Sequence, residues 1–487
     1  MLCEAGHYGI AMTNDGFLRP HDNTPFTDSA NVPVAGLSLN DGVPIPKRRV
    51  WSWALWDWAT QPFATVILTF VFVALYLISD SFIDPEIAAL GPDNQLYKNA
   101  IAELSVSYGW AGLLAGFLIA TLAPVLGQRA DAFGQRKLWL GVGTGLLVVC
   151  TAGLFFVEAV PSFFWLGAIL VAAGTVFSEI AGVNYNAMIS QVADSKNVGK
   201  VSGLGWGFGY LGGIVALIIV VLVTELDFFG MSTDNGMGFR AIALGAAVWT
   251  VVFAIPIFVS IPSNTPSSAV QKSSFFGSYV VLARDVRDLY RNARQTLLFL
   301  VAAAIYRDGL SGVFTYGAIL ATAAFGFSAT EVIMFGIAAN IIAGVSTIAA
   351  GWLDDVIGPR RLILFAISGL LVAGLGVFFL QAEGKIIFWT FGLLLTAFVG
   401  PIQSASRSLV ARLTPAGREG QVFGLYATTG RAASFMGPAA WIGALSFAAA
   451  IGSTNPTVWG ILGILGIVFV GFLVLLLVKI PKNAQRS

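Results

Sequence analysis

Twelve apolar stretches, each about as long as a bilayer is thick, recur along this chain and limit its fold more than any other feature. They run roughly 52–79, 104–126, 138–158, 162–188, 202–224, 239–261, 296–322, 330–352, 361–380, 386–406, 422–446 and 457–478. A membrane helix needs about 20 predominantly apolar residues. Inside hydrocarbon only a helix or a closed barrel can satisfy its own backbone. Charged residues make up 11% of the chain, against about 25% in a soluble domain. The mean hydropathy is +0.80. The sequence therefore predicts an all-α membrane protein with twelve transmembrane helices.

A short polar motif occurs twice. Gly127, Asp131, Gly134, Arg136 and Lys137 are matched 224 positions later by Gly351, Asp355, Gly358, Arg360 and Arg361. Each copy closes one apolar stretch and opens the next, so each sits in a tight turn between two membrane helices. An internal repeat of this kind divides the chain into equivalent halves. Two parallel multi-helix repeats are what alternating access between rocking bundles requires. The glycines permit the turn. The aspartate can meet helix N-terminal amides or a basic residue across the interface, so the motif reads as an inner-gate latch. Gly203, Leu204 and Gly209 recur as Gly424, Leu425 and Gly430, which pairs the fifth stretch with the eleventh.

The positive charges fix an orientation. With a cytoplasmic N-terminus, the inner side collects Lys47, Arg48, Arg49, Arg129, Arg136, Lys137, Lys196, Lys200, Arg284, Arg287, Arg360, Arg361, Arg412 and Lys479. The outer side keeps Lys98, Arg240 and Lys385. A multi-pass plasma-membrane protein with both termini cytoplasmic is expected. Residues 1–50 read as a flexible cytoplasmic tail, 51–261 as a first six-helix bundle, and 262–294 as a cytoplasmic linker with an amphipathic helix. Residues 295–487 form the second bundle and a short tail. The basic inner face is explained by topology, so no nucleic acid is invoked. The two histidines, His7 and His21, lie in the tail, which excludes a histidine relay or histidine metal site in the membrane. No cofactor or metal is expected. Cys3 and Cys150 are poorly placed to form a disulfide. A P-loop is absent, which disfavours ATP-driven transport.

Ionisable groups within hydrocarbon are costly and mark a pathway or a paired network. Six stand out: Asp57, Glu179, Arg307, Asp308, Arg407 and Arg431. Asp57 lies among Trp51, Trp53, Trp56 and Trp58, a cluster suited to the aromatic belt at the membrane interface, and either gates or caps. Arg307 and Asp308 fall eleven or twelve residues into their stretch, about 17 Å along a helix, with Arg431 at similar depth. An arginine does not lose its proton, so Arg307 and Arg431 must be paired, hydrated or in contact with an anionic substrate. Asp308 would then meet an ammonium group or carry a coupling proton. A static salt bridge is the competing reading. Glu179, Asn184 and Asn186 lie toward the inner mouth of the fourth stretch. The glycine run from Gly203 to Gly213 reads as close helix packing, with a bending point as the alternative.

The spacing of the repeated motif resembles the loop signature of the major facilitator superfamily. More narrowly, the chain resembles the family of the vacuole effluxer Atg22 and its bacterial relatives. The stretches that carry this are Ala54–Ala59, Asn184–Ala187 running on to Gly203–Gly213, Tyr306–Gly309, Ser406–Leu409, and Gly417 through Pro438. Asn is usual in the family at Arg307, and Lys is common at Arg431. The resemblance implies two pseudo-symmetric six-helix bundles and secondary transport of a small polar solute, an amino acid or similar, in the direction of export. Protons are the coupling ion considered, lipids the surroundings, and a monomer the expected state. A lipid or amphiphile translocator and a non-transporting receptor or scaffold on the same fold are the rival readings. An enzyme is not expected, because no cluster of His, Cys or carboxylates stands ready for chemistry.

Overall fold

The computed structural model describes residues 44–91, 94–230, 232–263, 274–292, 294–327, 329–414, 419–433, 435–453 and 455–479. Among these there is no strand: the protein is an all-helical, multi-pass membrane protein. Leaving single turns aside, the first half contains α1 (Lys47–Pro62), α2 (Gln95–Phe133), α3 (Arg136–Gly153), α4 (Phe164–Ala187), α5 (Val198–Glu225) and α6 (Met237–Ser260). A linker helix, α7 (Phe275–Asn292), follows. The second half contains α8 (Arg294–Ile319), α9 (Ala329–Ile357), α10 (Pro359–Phe379), α11 (Leu393–Leu413), α12 (Glu419–Ala433), α13 (Met436–Ala450) and α14 (Pro456–Leu477).

Among the described residues, eleven helical spans are long and apolar enough to cross a membrane. The expected stretch 422–446 is instead divided, since α12 stops at Ala433 and α13 starts at Met436. Pro438 is the reason. A proline fits the first turn of a helix, where no backbone N–H is required, and breaks one anywhere deeper. A related departure follows Pro62, where the first span continues as two π-helical stretches, Phe63–Phe70 and Phe72–Leu77. Further π-helical turns occur at Leu320–Ala324 and Phe388–Gly392. Such turns are rare and concentrate where a helix does more than span.

Helix α5 is held between α1 and α9, and its glycines explain how. A Cβ on Gly203 would stand 2.8 Å from the Thr347 carbonyl oxygen and 2.9 Å from the Gly351 Cα, and one on Gly207 would overlap Ile348. Gly205, Gly209, Gly212 and Gly213 face the other way, against Asp57, Gln61, Trp58 and Thr65. The run is therefore a packing surface on two sides, as small residues at membrane-helix interfaces allow. Helix α2 similarly meets α12, and α5 also meets α11. These contacts join the first half of the chain to the second.

Both copies of the loop motif turn on a glycine with positive φ. Gly134 closes α2 in the left-handed conformation at φ 66°, and its neighbour Gln135 donates to the Ala130 carbonyl at 2.7 Å, so the last orphan carbonyls of the helix are satisfied. Gly358, at φ 86°, precedes Pro359 at the first position of α10. Helix α7 buries Val281 and Leu289 against its neighbours α2 and α8 and exposes Phe276, Arg284 and Arg287.

Candidate functional site

Two polar clusters join the halves at the end of the molecule that carries the repeated motif. The deeper one is built around Arg407 of α11. Its Nη1 donates to Asp57 Oδ2 at 3.3 Å and to Asn186 Oδ1 at 3.2 Å. Its Nε donates to Ser202 Oγ at 3.0 Å, and its Nη2 donates to the Ser202 carbonyl at 2.5 Å. The Tyr185 hydroxyl also donates to Asp57 Oδ2, at 2.8 Å. Trp53, Trp206 and Tyr185 rings surround the guanidinium at 4.9, 5.5 and 5.8 Å. Four helices, α1, α4, α5 and α11, therefore meet at one cation. With its side chain 4% exposed, the interior strengthens each of these charge-assisted bonds. Ser202 ties the same place together by donating to the Ser404 carbonyl at 2.8 Å.

The tryptophans of α1 depart from the aromatic-belt expectation. Trp51 is half exposed, but Trp53 and Trp56 are buried. Their rings stack on Tyr185 at 4.5 and 4.4 Å. Trp53 also donates its indole N–H to the Tyr185 carbonyl at 3.0 Å. Trp53 faces Arg407, and Trp56 donates its indole N–H to the Thr144 hydroxyl of α3 at 3.1 Å, so this face of α1 turns into the bundle and not toward lipid.

The outer cluster uses the second copy of the motif. Asp355 accepts from the backbone N–H of Gly199 at 2.8 Å and of Lys200 at 2.9 Å, both in the first turn of α5. These amides are unsatisfied within their own helix and lie at the positive end of its dipole. Arg412 adds a bond from Nη2 to Asp355 Oδ1 at 3.0 Å and one from Nη1 to the Ser195 carbonyl at 2.9 Å. Asp354 stands 3.7 Å from the same guanidinium. In the first copy, Asp131 and Arg136 form a buried pair at 2.6 Å within their own turn. Lys137 donates to the Ile261 carbonyl just past α6, and Arg360 to the Leu476 carbonyl near the end of α14. A basic residue of each copy thus meets the negative end of the last helix in its own half. Arg361 is exposed, and Gly127 and Gly351 are buried within α2 and α9 ahead of the turns.

Arg307 and Asp308 point to different places. The Arg307 guanidinium lies over the Tyr426 ring at 4.1 Å, with one long bond of 3.4 Å from Nη1 to the Tyr426 carbonyl. Asp308, 6% exposed, accepts at Oδ2 from the Gly437 N–H at 2.6 Å. It caps the start of α13 across the helix interruption, as an N-cap carboxylate does within one chain segment. Glu179 is half-buried on α4. Asn184 is buried and donates back to the Ile180 carbonyl of its own helix at 2.9 Å, whereas Asn186 joins the Arg407 cluster. Arg431 belongs to α12, and its side chain lies outside the described residues. Among the described residues no three His, Cys, Asp or Glu side chains converge as a metal site would require.

Sequence reasoning named Arg407 as an intramembrane charge but did not place it in the site. It also passed over Ser202, Tyr185 and Arg412. Their partners are far along the chain, and only the close approach of α1, α5, α9 and α11 brings them together. The one local signal was Arg407 standing between Ser406 and Ser408 at the end of an apolar stretch.

Comparison with known proteins agrees with this architecture. Residues 111–487 match the family described as vacuole effluxer Atg22 like. An uncharacterized MFS-type transporter, YxiO, of Bacillus subtilis is 28% identical over 362 residues, covering 70% of this chain and 80% of the relative. Autophagy-related protein 22 of Cryptococcus neoformans is 28% identical over 278 residues, covering 50% of this chain and 47% of that protein. The chain thus spans about half the length of that fungal relative. Among solved structures, FucP in an outward conformation superposes with a TM-score of 0.63 at 13% identity, covering 91% of this chain and 99% of that one. The proton:xylose symporter XylE superposes at 0.62, also at 13% identity, covering 88% and 93%. At such identities the likeness is one of fold.

Proposed function

The chain belongs to the Atg22-like family within the major facilitator superfamily and is a membrane transporter of that class, not an enzyme; from this premise we propose that it moves a small polar solute, an amino acid or similar, by alternating access. In this reading the chain crosses the membrane twelve times in two six-helix bundles, with α12 and α13 together making the eleventh crossing. The basic motif end faces the cytoplasm, by the bias of Lys and Arg.

The observation that carries the proposal is the convergence of α1, α4, α5 and α11 on Arg407, joined by the clasp of Asp355 on the first turn of α5. Both clusters link one half of the chain to the other, and both are made of bonds that break as a unit when the halves tilt apart. A static receptor would have no need of charge at this seam, since a buried ion pair is rarely more stable than apolar packing of the same volume. The bonds of Arg407 and Asp355 across the halves support a state closed at the cytoplasmic end. In export, solute would enter when the Arg407 and Asp355 clusters part, settle near the helix interruption at mid-depth, and leave at the opposite end once they re-form. Glu179, Asp57 and Asp308 are the side chains at depth able to carry a coupling proton.

Ser408 tests the reading. It is fully buried beside Arg412, whose Nε donates to it at 3.3 Å. A Ser408→Cys variant, with Cys3 and Cys150 replaced by Ser, is exposed to a membrane-impermeant maleimide from the cytoplasmic side. Alternating access predicts steady labelling as the gate opens. A thiol that never reacts while the protein stays folded would favour a fixed scaffold.

A further inference from the structure

Among the described residues, the acids of the membrane-spanning segments each have a partner, and Arg307 has no acid paired with it. Asp57 is bound by Tyr185 and Arg407, Asp131 by Arg136, and Asp355 by two backbone amides and Arg412. Glu179 is engaged as well. Asp308, which the sequence offered as the partner of an ammonium group, spends its Oδ2 on the Gly437 N–H at 2.6 Å. The positive end of α13 stabilises its charge there.

Arg307 differs from all of these. Among the described residues no carboxylate comes within ion-pair distance of it. The Tyr426 ring beneath it, at 4.1 Å, holds the guanidinium plane, and one long bond to the Tyr426 carbonyl uses a single donor of five. Arg307 is only half-buried, and the absence of a side chain at Gly430 leaves room beside Nη1, which a Cβ there would approach to 3.4 Å. A guanidinium keeps its proton at any accessible pH, and leaving it unpaired at this depth is costly. Its planar fork matches an oxyanion in two parallel bonds.

Resting on the transporter reading above, we infer that the transported solute is an oxyanion of net negative charge, held edge-on by Arg307. Arg307 then sets the substrate class. A carboxylate and a phosphate group share the chemistry that Arg307 reads. A zwitterion gains the same bonds but brings an ammonium group, and the neighbouring acid, Asp308, is buried against the Gly437 N–H. Among amino acids, this narrows the candidates to acidic ones.

The test is arginine modification by phenylglyoxal on the purified protein in nanodiscs, followed residue by residue by peptide mass spectrometry. Arg361, which is exposed, and Arg407, which is clasped, are the fast and slow internal standards. The probes are lactate, succinate, inorganic phosphate, leucine and putrescine, each against chloride at matched ionic strength. Arg307 is expected to react much faster than Arg407. Its labelling is expected to slow several-fold with lactate, succinate or phosphate and to slow less with leucine. Putrescine should give no protection. Which of the three anions protects best separates a carboxylate solute from a phosphate one. An Arg307→Asn variant is expected to keep the melting temperature of the parent while losing stabilisation by the protecting anion.

The inference is overturned if Arg307 reacts as slowly as Arg407, because the guanidinium is then satisfied within the protein. It is also overturned if no oxyanion protects, or if leucine protects as well as lactate. None of these outcomes touches the Ser408 thiol result, so failure of the anion assignment and failure of the transport reading are separately visible.

Discussion

Among the described side chains, two arginines of the membrane-spanning part, Arg407 and Arg307, are solvated in opposite ways. Arg407 is saturated: a carboxylate, an amide, a hydroxyl and a carbonyl take its donors, and three aromatic rings take its faces. Arg307 rests on one ring and makes one long bond. Burial alone thus does not tell what a charged side chain is for. A saturated cation holds protein to protein, and its loss should be felt as stability and as the position of the halves. An open cation holds something that is not protein, and its loss should be felt only when a ligand is present.

The contrast breaks most visibly at Arg407. Replacing it by Ala strands Asp57 without a counter-charge, which for a buried pair costs about 3–5 kcal/mol. A marked fall in melting temperature and faster labelling of Ser408→Cys are expected. The double variant Asp57→Asn with Arg407→Gln should recover part of the loss, and full additivity of the two changes would mean that the pair is not coupled. Next in size is Gly203→Ala, whose Cβ would press on the Thr347 carbonyl and Gly351 backbone. Overpacking of this kind costs about 1–3 kcal/mol and should drive apart the ends that carry the repeated motif, read as greater thiol accessibility at Ser408→Cys. Asp355→Asn keeps the shape but weakens the bonds to Gly199, Lys200 and Arg412. About 1–2 kcal/mol is expected, on the scale of charge-assisted bonds, with the same readout. Arg307→Asn should move stability by no more than about 0.5 kcal/mol, as for substitutions that break no internal contact. A large destabilisation there would erase the distinction between the two arginines.

The fold was largely legible because lipid leaves so few solutions: apolar length and the placement of Lys and Arg are local properties, and both can be read along a line. The turn glycines were legible for the same reason, since Gly134 and Gly358 adopt the positive φ that their repetition at equal spacing implied. The site was less so. Asp57, Asn186 and Asp355 were read from the sequence, but Arg407 was set aside, because its partners Asp57, Asn186 and Ser202 lie on three other helices. The bond from the Gly437 N–H to Asp308 was illegible for a different reason. It depends on the break between α12 and α13, and the signal for that break was Pro438 in the middle of an apparently continuous apolar stretch.

The central claim is that the cytoplasmic ends of the two halves part and rejoin. Spin labels at Lys196, before α5, and Arg361, in the first turn of α10, are both exposed and lie on opposite halves. Pulsed electron-spin distance measurements between them, with Cys3 and Cys150 replaced by Ser, address the claim without knowledge of the solute. The account predicts a short distance matching the clasped structure together with a longer one, the longer gaining weight in Asp355→Asn and more in Arg407→Ala. A single distance, the same in the parent and in both variants while each remains folded, would contradict it.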